Sequence, residues 1–312
     1  MTPEFKSASG RPASSFAFGT MQFGGASDAA ESAAVFEQSR AAGINLFDCA
    51  FAYTNGAAEE ILGRLMAPDR DDLFITTKGA FPGGSGRDHI LQQFDTSRQQ
   101  LDTDFVDLYF LHRWDDETPL EETFEALATL HETGLIRHIG VSNFSAWQCM
   151  KAQGVASRMG LKIAVLQPMY NLVKRQAEVE ILPMAASEGM AVMPYSPLGG
   201  GLLTGKYQTG ATGRIRSNPE YAARYAPDWM MQAATDLGAL AAEVGVSPIT
   251  LAVAWVAYHP AITFPIISGR NPVQLAPSLA AVNYELDGAL YARLSALTPT
   301  PPPATDRLEE VR

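Results

Sequence analysis

Short apolar runs alternate along the chain with longer segments of helical period, the pattern made by parallel strands joined through crossover helices. The apolar runs fall at 15–19, 44–48, 73–78, 106–112, 136–141, 163–167, 191–195 and 263–267. Between them the spacing predicts helices over 28–42, 57–66, 87–101, 120–133, 146–158, 177–187 and 227–244. Eight strands in strict alternation with helices predict an α/β fold, a single (β/α)8 barrel spanning 1–312. Gly189 and Gly245 stand where two of these helices should stop, since glycine tolerates the left-handed conformation after a helix. A further helix is expected over 247–259, and one over 272–281 that covers the barrel. The stretch 4–13 is read as a short N-terminal hairpin closing the barrel bottom. The segment 199–226 is too long for an ordinary connection and is read as a lid loop after strand 7. The proline-rich tail 299–312 is expected to be extended.

Composition narrows the function. With 46% hydrophobic residues the 312-residue chain can bury a large core. A formal charge of −11 repels phosphodiester backbones and anionic lipid, so neither nucleic acid nor a membrane is expected as a partner. Only Cys49 and Cys149 are present, without disulfide or zinc-ligand spacing, and the first residues carry no apolar leader segment. A cytoplasmic protein is the expectation. His112, Asp115 and Asp116 have no second histidine nearby, so no metal is expected. His89, His131, His138 and His259 are read as structural or exposed.

In such a barrel, reactive groups sit at the carboxyl ends of strands. Three consecutive runs end on an ionisable residue: Asp48, Lys78 and His112, with Tyr53 on the loop after Asp48. A phenol beside an ammonium is a proton donor whose pKa, about 10 when free, the ammonium lowers. Asp48 would hold Lys78 charged, and His112 would position and polarise a carbonyl. The same lysine leaves a Schiff-base aldolase open as a second chemistry.

FDCAFAYTNGAAEEILG, FITTK, DLYFLHRWD, IRHIGVSNF, LQPMYN and PYSPLGGGLLTGKY together resemble the motifs of the aldo-keto reductase family, in the family's order, over about residues 19–281. The resemblance implies a TIM-barrel oxidoreductase that reduces a small-molecule aldehyde or ketone with NADPH, NADH being the alternative. It makes Tyr53 the general acid, with Asp48, Lys78 and His112 completing a tetrad. It puts Thr20, Asp48, Ser142, Asn143 and Gln167 at the nicotinamide, with Tyr195 stacked beneath the ring. Ser196, Leu198, Gly201 and Lys206 would strap the pyrophosphate. Ser268, Arg270, Gln274 and Ser278 would meet the adenosine end, Arg270 at the 2′-phosphate. The chain departs from the family at Pro277 and Ser278, where an acidic residue and an asparagine are common. Cys49 replaces a frequent threonine and is expected to pack behind the sheet. Phe23, Phe51, Phe81, Trp114, Met169 and Tyr170 are the candidate pocket walls, an apolar mouth suited to uncharged carbonyls. Read by themselves, Ser142 and Asn143 could equally cap the next helix, and Arg270 could pair with a surface carboxylate. The family's potassium-channel β subunits offer another role, a module that holds NADPH and acts through a partner.

Overall fold

Side chains alternate sides along a strand, and in this chain the alternation sorts two apolar layers. In a computed structural model describing residues 4–208, 210–307 and 309, Leu46, Phe74, Leu108, Phe110 and Val165 fill the barrel interior. Phe47, Ile75, Tyr109, Leu111 and Leu166 face outward against the helices. The strands are β1 Ala17–Gly19, β2 Leu46–Asp48, β3 Phe74–Gly79, β4 Val106–Leu111, β5 Ile136–Ser142, β6 Ile163–Gln167, β7 Ala191–Val192 and β8 Ile266–Ile267. All pair in parallel, in the order β7-β6-β5-β4-β3-β2-β1-β8. Thr263 N and Phe264 N donate to Val192 O, and Ile266 N donates to Pro194 O, which brings the β8 edge back to β7. This is the (β/α)8 barrel that the alternation predicts.

The helices are α1 Ala29–Ala41, α2 Ala57–Met66, α3 Arg87–Gln100, α4 Leu120–Glu132, α5 Ala146–Arg158, α6 Ile181–Glu188, α7 Arg214–Ser217, α8 Pro219–Arg224, α9 Asp228–Val244, α10 Pro248–Tyr258, α11 Pro272–Ala280 and α12 Gly288–Ser295. Several boundaries differ from the sequence reading for local reasons. Strands 7 and 8 are two residues each because Pro194 and Pro265 have no N–H to continue a ladder. The helix expected from 177 starts at Ile181, after a 3-10 turn, Gln176–Glu178, in which Glu178 is paired with Arg175. The lid is not an irregular loop: it holds a 3-10 segment, Gly199–Thr204, then α7 and α8, with Thr209 outside the described residues. Helix α12 was not expected, although Asp287 caps it and Leu294 anchors it in the core. Residues 299–307 form neither helix nor strand, and the end of the tail lies outside the described residues.

The hairpin at the N-terminus forms as a bridge between Lys6 and Pro12, and Phe5 plugs the barrel bottom against Phe74, His138 and Phe264. At mid-barrel, Gly140 gives its space to Phe110: a Cβ there would stand 2.4 Å from the ring. Only glycine lets β5 close on β4 over a phenylalanine.

Candidate functional site

The alternation that fills the interior with Leu46, Phe74 and Phe110 carries on to the strand ends. Two residues past each of Leu46 and Phe110 the inward positions are Asp48 and His112, and four past Phe74 is Lys78. The mouth therefore receives one ionisable group from each of three neighbouring strands, and the turn after β2 adds Tyr53.

These four groups converge. Lys78 is fully buried; its Nζ donates to both Asp48 carboxylate oxygens at 2.8 Å and to Cys49 O at 2.6 Å, and lies 3.4 Å from Tyr53 Oη. The His112 ring stands edge-on to Tyr53, with centroids 6.0 Å apart. Asp48 Oδ1 also accepts from Thr76 Oγ1 at 2.8 Å and Gln167 Nε2 at 3.0 Å, so the buried carboxylate is well satisfied. Burial opposes the charge on Lys78, but Asp48 and Tyr53 outweigh it and hold the ammonium above its usual pKa.

Tyr53 behaves differently from the expectation. Lys78 does favour its phenolate, yet burial is the larger effect and pushes the hydroxyl up to about 12. The sequence reveals the neighbouring charge but not the water that is lost. His112 is pushed down to about 3, first by burial and then by Lys78 and Arg113, so the ring is neutral; its Nδ1 is buried without a hydrogen-bond partner.

The expected nicotinamide residues line one side of this cluster. Ser142 Oγ donates to Gln167 O at 3.0 Å, Asn143 Nδ2 to His112 O at 3.0 Å, and Tyr195 Oη to Asn143 Oδ1 at 2.6 Å. Thr20 Oγ1 donates to Asp48 O. Ser142 and Asn143 do not cap α5; Ser145 does, in a capping box with Gln148. Asn143 and Ser196 hold left-handed backbone, at φ of 60° and 59°, a strained conformation for side-chain-bearing residues.

Beyond Tyr195, the chain turns through Leu198 and the glycines 199–201, all three with positive φ. A Cβ on Gly201 would come within 3.0 Å of Lys206 Nζ, so this glycine keeps the space before the ammonium open. Lys206 is held below its usual pKa, by burial and then by Arg270 and Arg214. Cations near enough to act on Lys206, beside a glycine turn, fit a phosphate group. Arg214 was missing from the sequence reading, because nothing in its local pattern shows that α7 folds back over the strap. Ser268 Oγ donates to Gly19 O, binding the end of β8 to β1, and Gln274 is exposed on the first turn of α11.

Three expected contacts need correction. Ser278 is buried on α11, its hydroxyl unpartnered, and offers no surface to a nucleotide. Phe23 is fully buried against Phe18, in the layer between barrel and helices. Tyr170 is also fully buried, stacked on Trp255 and donating to Glu178. The remaining wall candidates stay near the mouth: Phe81 stands edge-on to His112, Trp114 packs on Phe144, Met169 bridges to Tyr195, and Phe51 is half-buried, its N–H on Lys78 O. Cys49 is buried with Phe36 and Phe47 in the outer layer.

Sequence reasoning also missed Thr76 and Glu59. Glu59 is completely buried on α2, where it accepts from Thr77 Oγ1 on the outer side of β3, and burial pushes its carboxyl up to about 7. It falls in helical register with the buried Leu62 and Met66, a legible sign that a carboxylate faces inward.

With the geometry in place, similarity to known proteins decides the family. Residues 15–298 match the family model described as Aldo/keto reductase family. The chain belongs to the aldo/keto reductase family. It is 35% identical over 296 residues to a "Probable voltage-gated potassium channel subunit beta" of Oryza sativa subsp. japonica, covering 88% of this chain and 89% of that one. An "Uncharacterized oxidoreductase YrpG" of Bacillus subtilis is 32% identical, covering 91% of each chain. "Aflatoxin B1 aldehyde reductase member 2" of Rattus norvegicus is 37% identical over 196 residues, 61% of this chain and 53% of that protein. Membership in this family, with reductase-named relatives, supports an oxidoreductase.

Proposed function

We propose that the protein reduces an aldehyde or ketone to an alcohol with NADPH, Tyr53 serving as the general acid. The reading rests on one observation: a fully buried Lys78, held by Asp48, lies 3.4 Å from the Tyr53 hydroxyl beside a neutral His112. When bound, the reduced nicotinamide supplies the hydride. The chain's own residues do the rest. A Tyr53 phenol with pKa about 12 stays protonated at neutral pH, so its proton is present when the substrate oxygen becomes basic. As the proton leaves, Lys78 stabilises the phenolate left behind. The buried, unpartnered His112 Nδ1 puts the ring proton on Nε2, where it orients the carbonyl. Tyr195 supports the nicotinamide face, Lys206 and Arg214 offer donors to the pyrophosphate that both cofactors carry, and Arg270 favours NADPH over NADH by offering a guanidinium to the 2′-phosphate.

Fluorescence titration with NADPH and NADH, followed by an aldehyde panel, tests the reading. Tyr53→Phe should keep the melting temperature and cofactor affinity while losing turnover by roughly 10²- to 10⁴-fold. Undiminished turnover in that variant would end the proposal. The channel-subunit name of the rice relative supports a second reading, a cofactor-holding module acting on a partner. Tight NADPH binding with no turnover across the panel would favour it.

A further inference from the structure

The mouth carries a second set of cations beside the strap. The chain holds 34 acidic and 23 basic residues, and among the described residues only part of the cations pair with a carboxylate. Away from the mouth, Arg40, Arg98, Arg158 and Arg293 pair with Asp69, Asp95, Glu121 and Glu243. Arg113, Lys174 and Arg224 make no ion pair among the described residues; each lies over an aromatic ring instead. Arg113 sits 4.2 Å from the centre of Phe81, Arg224 5.0 Å from Tyr221, and Lys174 5.7 Å from Tyr225.

Those rings place the charges at the mouth. Phe81 stands against His112, and the Tyr225 hydroxyl is 3.9 Å from Met169 Sδ, next to Tyr195. Both guanidiniums are near enough to act on the Tyr195 hydroxyl, which burial pushes up and Arg224 and Arg113 pull down. Arg224 and Arg214 share the Tyr221 ring, at 5.0 and 5.5 Å from its centre, so this set adjoins the strap cations. Beside Arg113 and Lys174 the acids nearest in sequence are engaged elsewhere, Asp115 accepting from Ser85 and Thr118, Asp116 from Trp114 and Glu178 from Arg175, while Glu220 and Asp228, four residues to either side of Arg224, make no ion pair with it. Lys174 and Arg224 are half-buried and Arg113 is exposed at the rim; cations held on aromatic rings without an ion pair are a standing site for an anion.

Resting on the reductase reading, we propose that the substrate carries an anionic group, a carboxylate or a phosphate, at the end remote from its carbonyl, and that Arg224, Lys174 and Arg113 bind it. The apolar walls then enclose the carbonyl end. This narrows the uncharged-carbonyl expectation drawn from wall composition alone.

Matched substrate pairs test it. Succinic semialdehyde against butanal reads a carboxylate, and glyceraldehyde 3-phosphate against glyceraldehyde reads a phosphate. At least one anionic member should exceed its neutral partner in kcat/KM by about tenfold or more, the value of one charge-assisted hydrogen bond. The pair that responds identifies the anion. The preference should shrink as salt is raised, and Arg224→Gln with Lys174→Gln should reduce it by about tenfold while NADPH affinity changes less. Equal kcat/KM within both pairs, or a loss of NADPH affinity as large as the loss of preference, would overturn the inference. Absence of turnover with all four aldehydes would defeat the reductase reading itself. Anion recognition is then read from the thermal shift of the NADPH complex with succinate against succinamide, equal shifts overturning it.

Discussion

The two ends of the barrel each bury a carboxylate, and they treat it in opposite ways. At the bottom, both Asp107 oxygens are committed: Oδ2 accepts from Arg70 at 3.2 Å and from Ile75 N at 2.9 Å, and Oδ1 from Arg137 at 2.8 Å. The arginines continue outward to backbone oxygens, Arg70 to Phe105 O and Arg137 to Lys6 O, and so clamp the hairpin over the Phe5 plug. Arginine keeps its proton under all ordinary conditions, so this network has one state. At the mouth, Asp48 is paired with a lysine, and that lysine reaches a phenol able to give up a proton. Around it lie an unpartnered imidazole nitrogen, left-handed backbone at Asn143 and Ser196, and Arg113, Lys174 and Arg224, which lie over aromatic rings and make no ion pair among the described residues. A network closed on itself holds the fold; one left open toward solvent is equipped to act on a ligand.

Substitution at Lys78 should break that contrast most sharply. Lys78→Met strips the mouth of the charge that stabilises the phenolate and leaves Asp48 buried without its counter-ion. We expect turnover to fall by roughly 10²- to 10⁴-fold and stability to drop by about 3–5 kcal/mol. Steady-state kinetics and denaturant unfolding on one preparation read both. A variant as stable as the parent would show that Asp48 does not depend on the lysine. At the other end, Asp107→Asn leaves Arg70 and Arg137 facing a neutral amide. It should cost about 3–5 kcal/mol while kcat/KM per folded molecule stays within about twofold, because the bottom does no chemistry. A tenfold loss in kcat/KM without loss of stability would erase the distinction between the ends.

The same contrast shows what the sequence could convey. Strand parity is a local property, and it carried Asp48, Lys78 and His112 to the inner wall together with Leu46, Phe74 and Phe110. The lengths of β7 and β8 were overestimated because apolar composition was read past Pro194 and Pro265. Aromatic type does not say which side of the wall a ring occupies. Tyr170 and Phe23 therefore looked like pocket residues, although contacts with Trp255 and Phe18 hold them in the outer layer. The sign of the Tyr53 shift was lost for a related reason: charges can be read in a sequence, and desolvation cannot. Arg214 and Arg224 depend on how the lid folds, a tertiary arrangement without a local period.

Glu59 sharpens the comparison further, as a buried carboxyl that belongs to neither network. It lies behind β3, tying α2, which follows the Tyr53 turn, to Thr77, the outward neighbour of Lys78. Its pKa rises from 4.5 to about 7, chiefly by burial, so between those values the folded chain binds a proton that the unfolded chain has released. Stability from this group is therefore full below about pH 4.5 and is lost as pH rises through 7, by at most about 3 kcal/mol. Glu59→Gln keeps the shape and removes the titration. Titrations such as that of His112 are common to both proteins, so the variant's unfolding free energy should gain on the parent's by up to about 3 kcal/mol across that window and exceed it at pH 8, where the parent must bury a charge. Unfolding curves at pH 5 and pH 8 measure the difference, and parallel pH profiles for the two proteins would mean that Glu59 is solvated or already paired in the folded state.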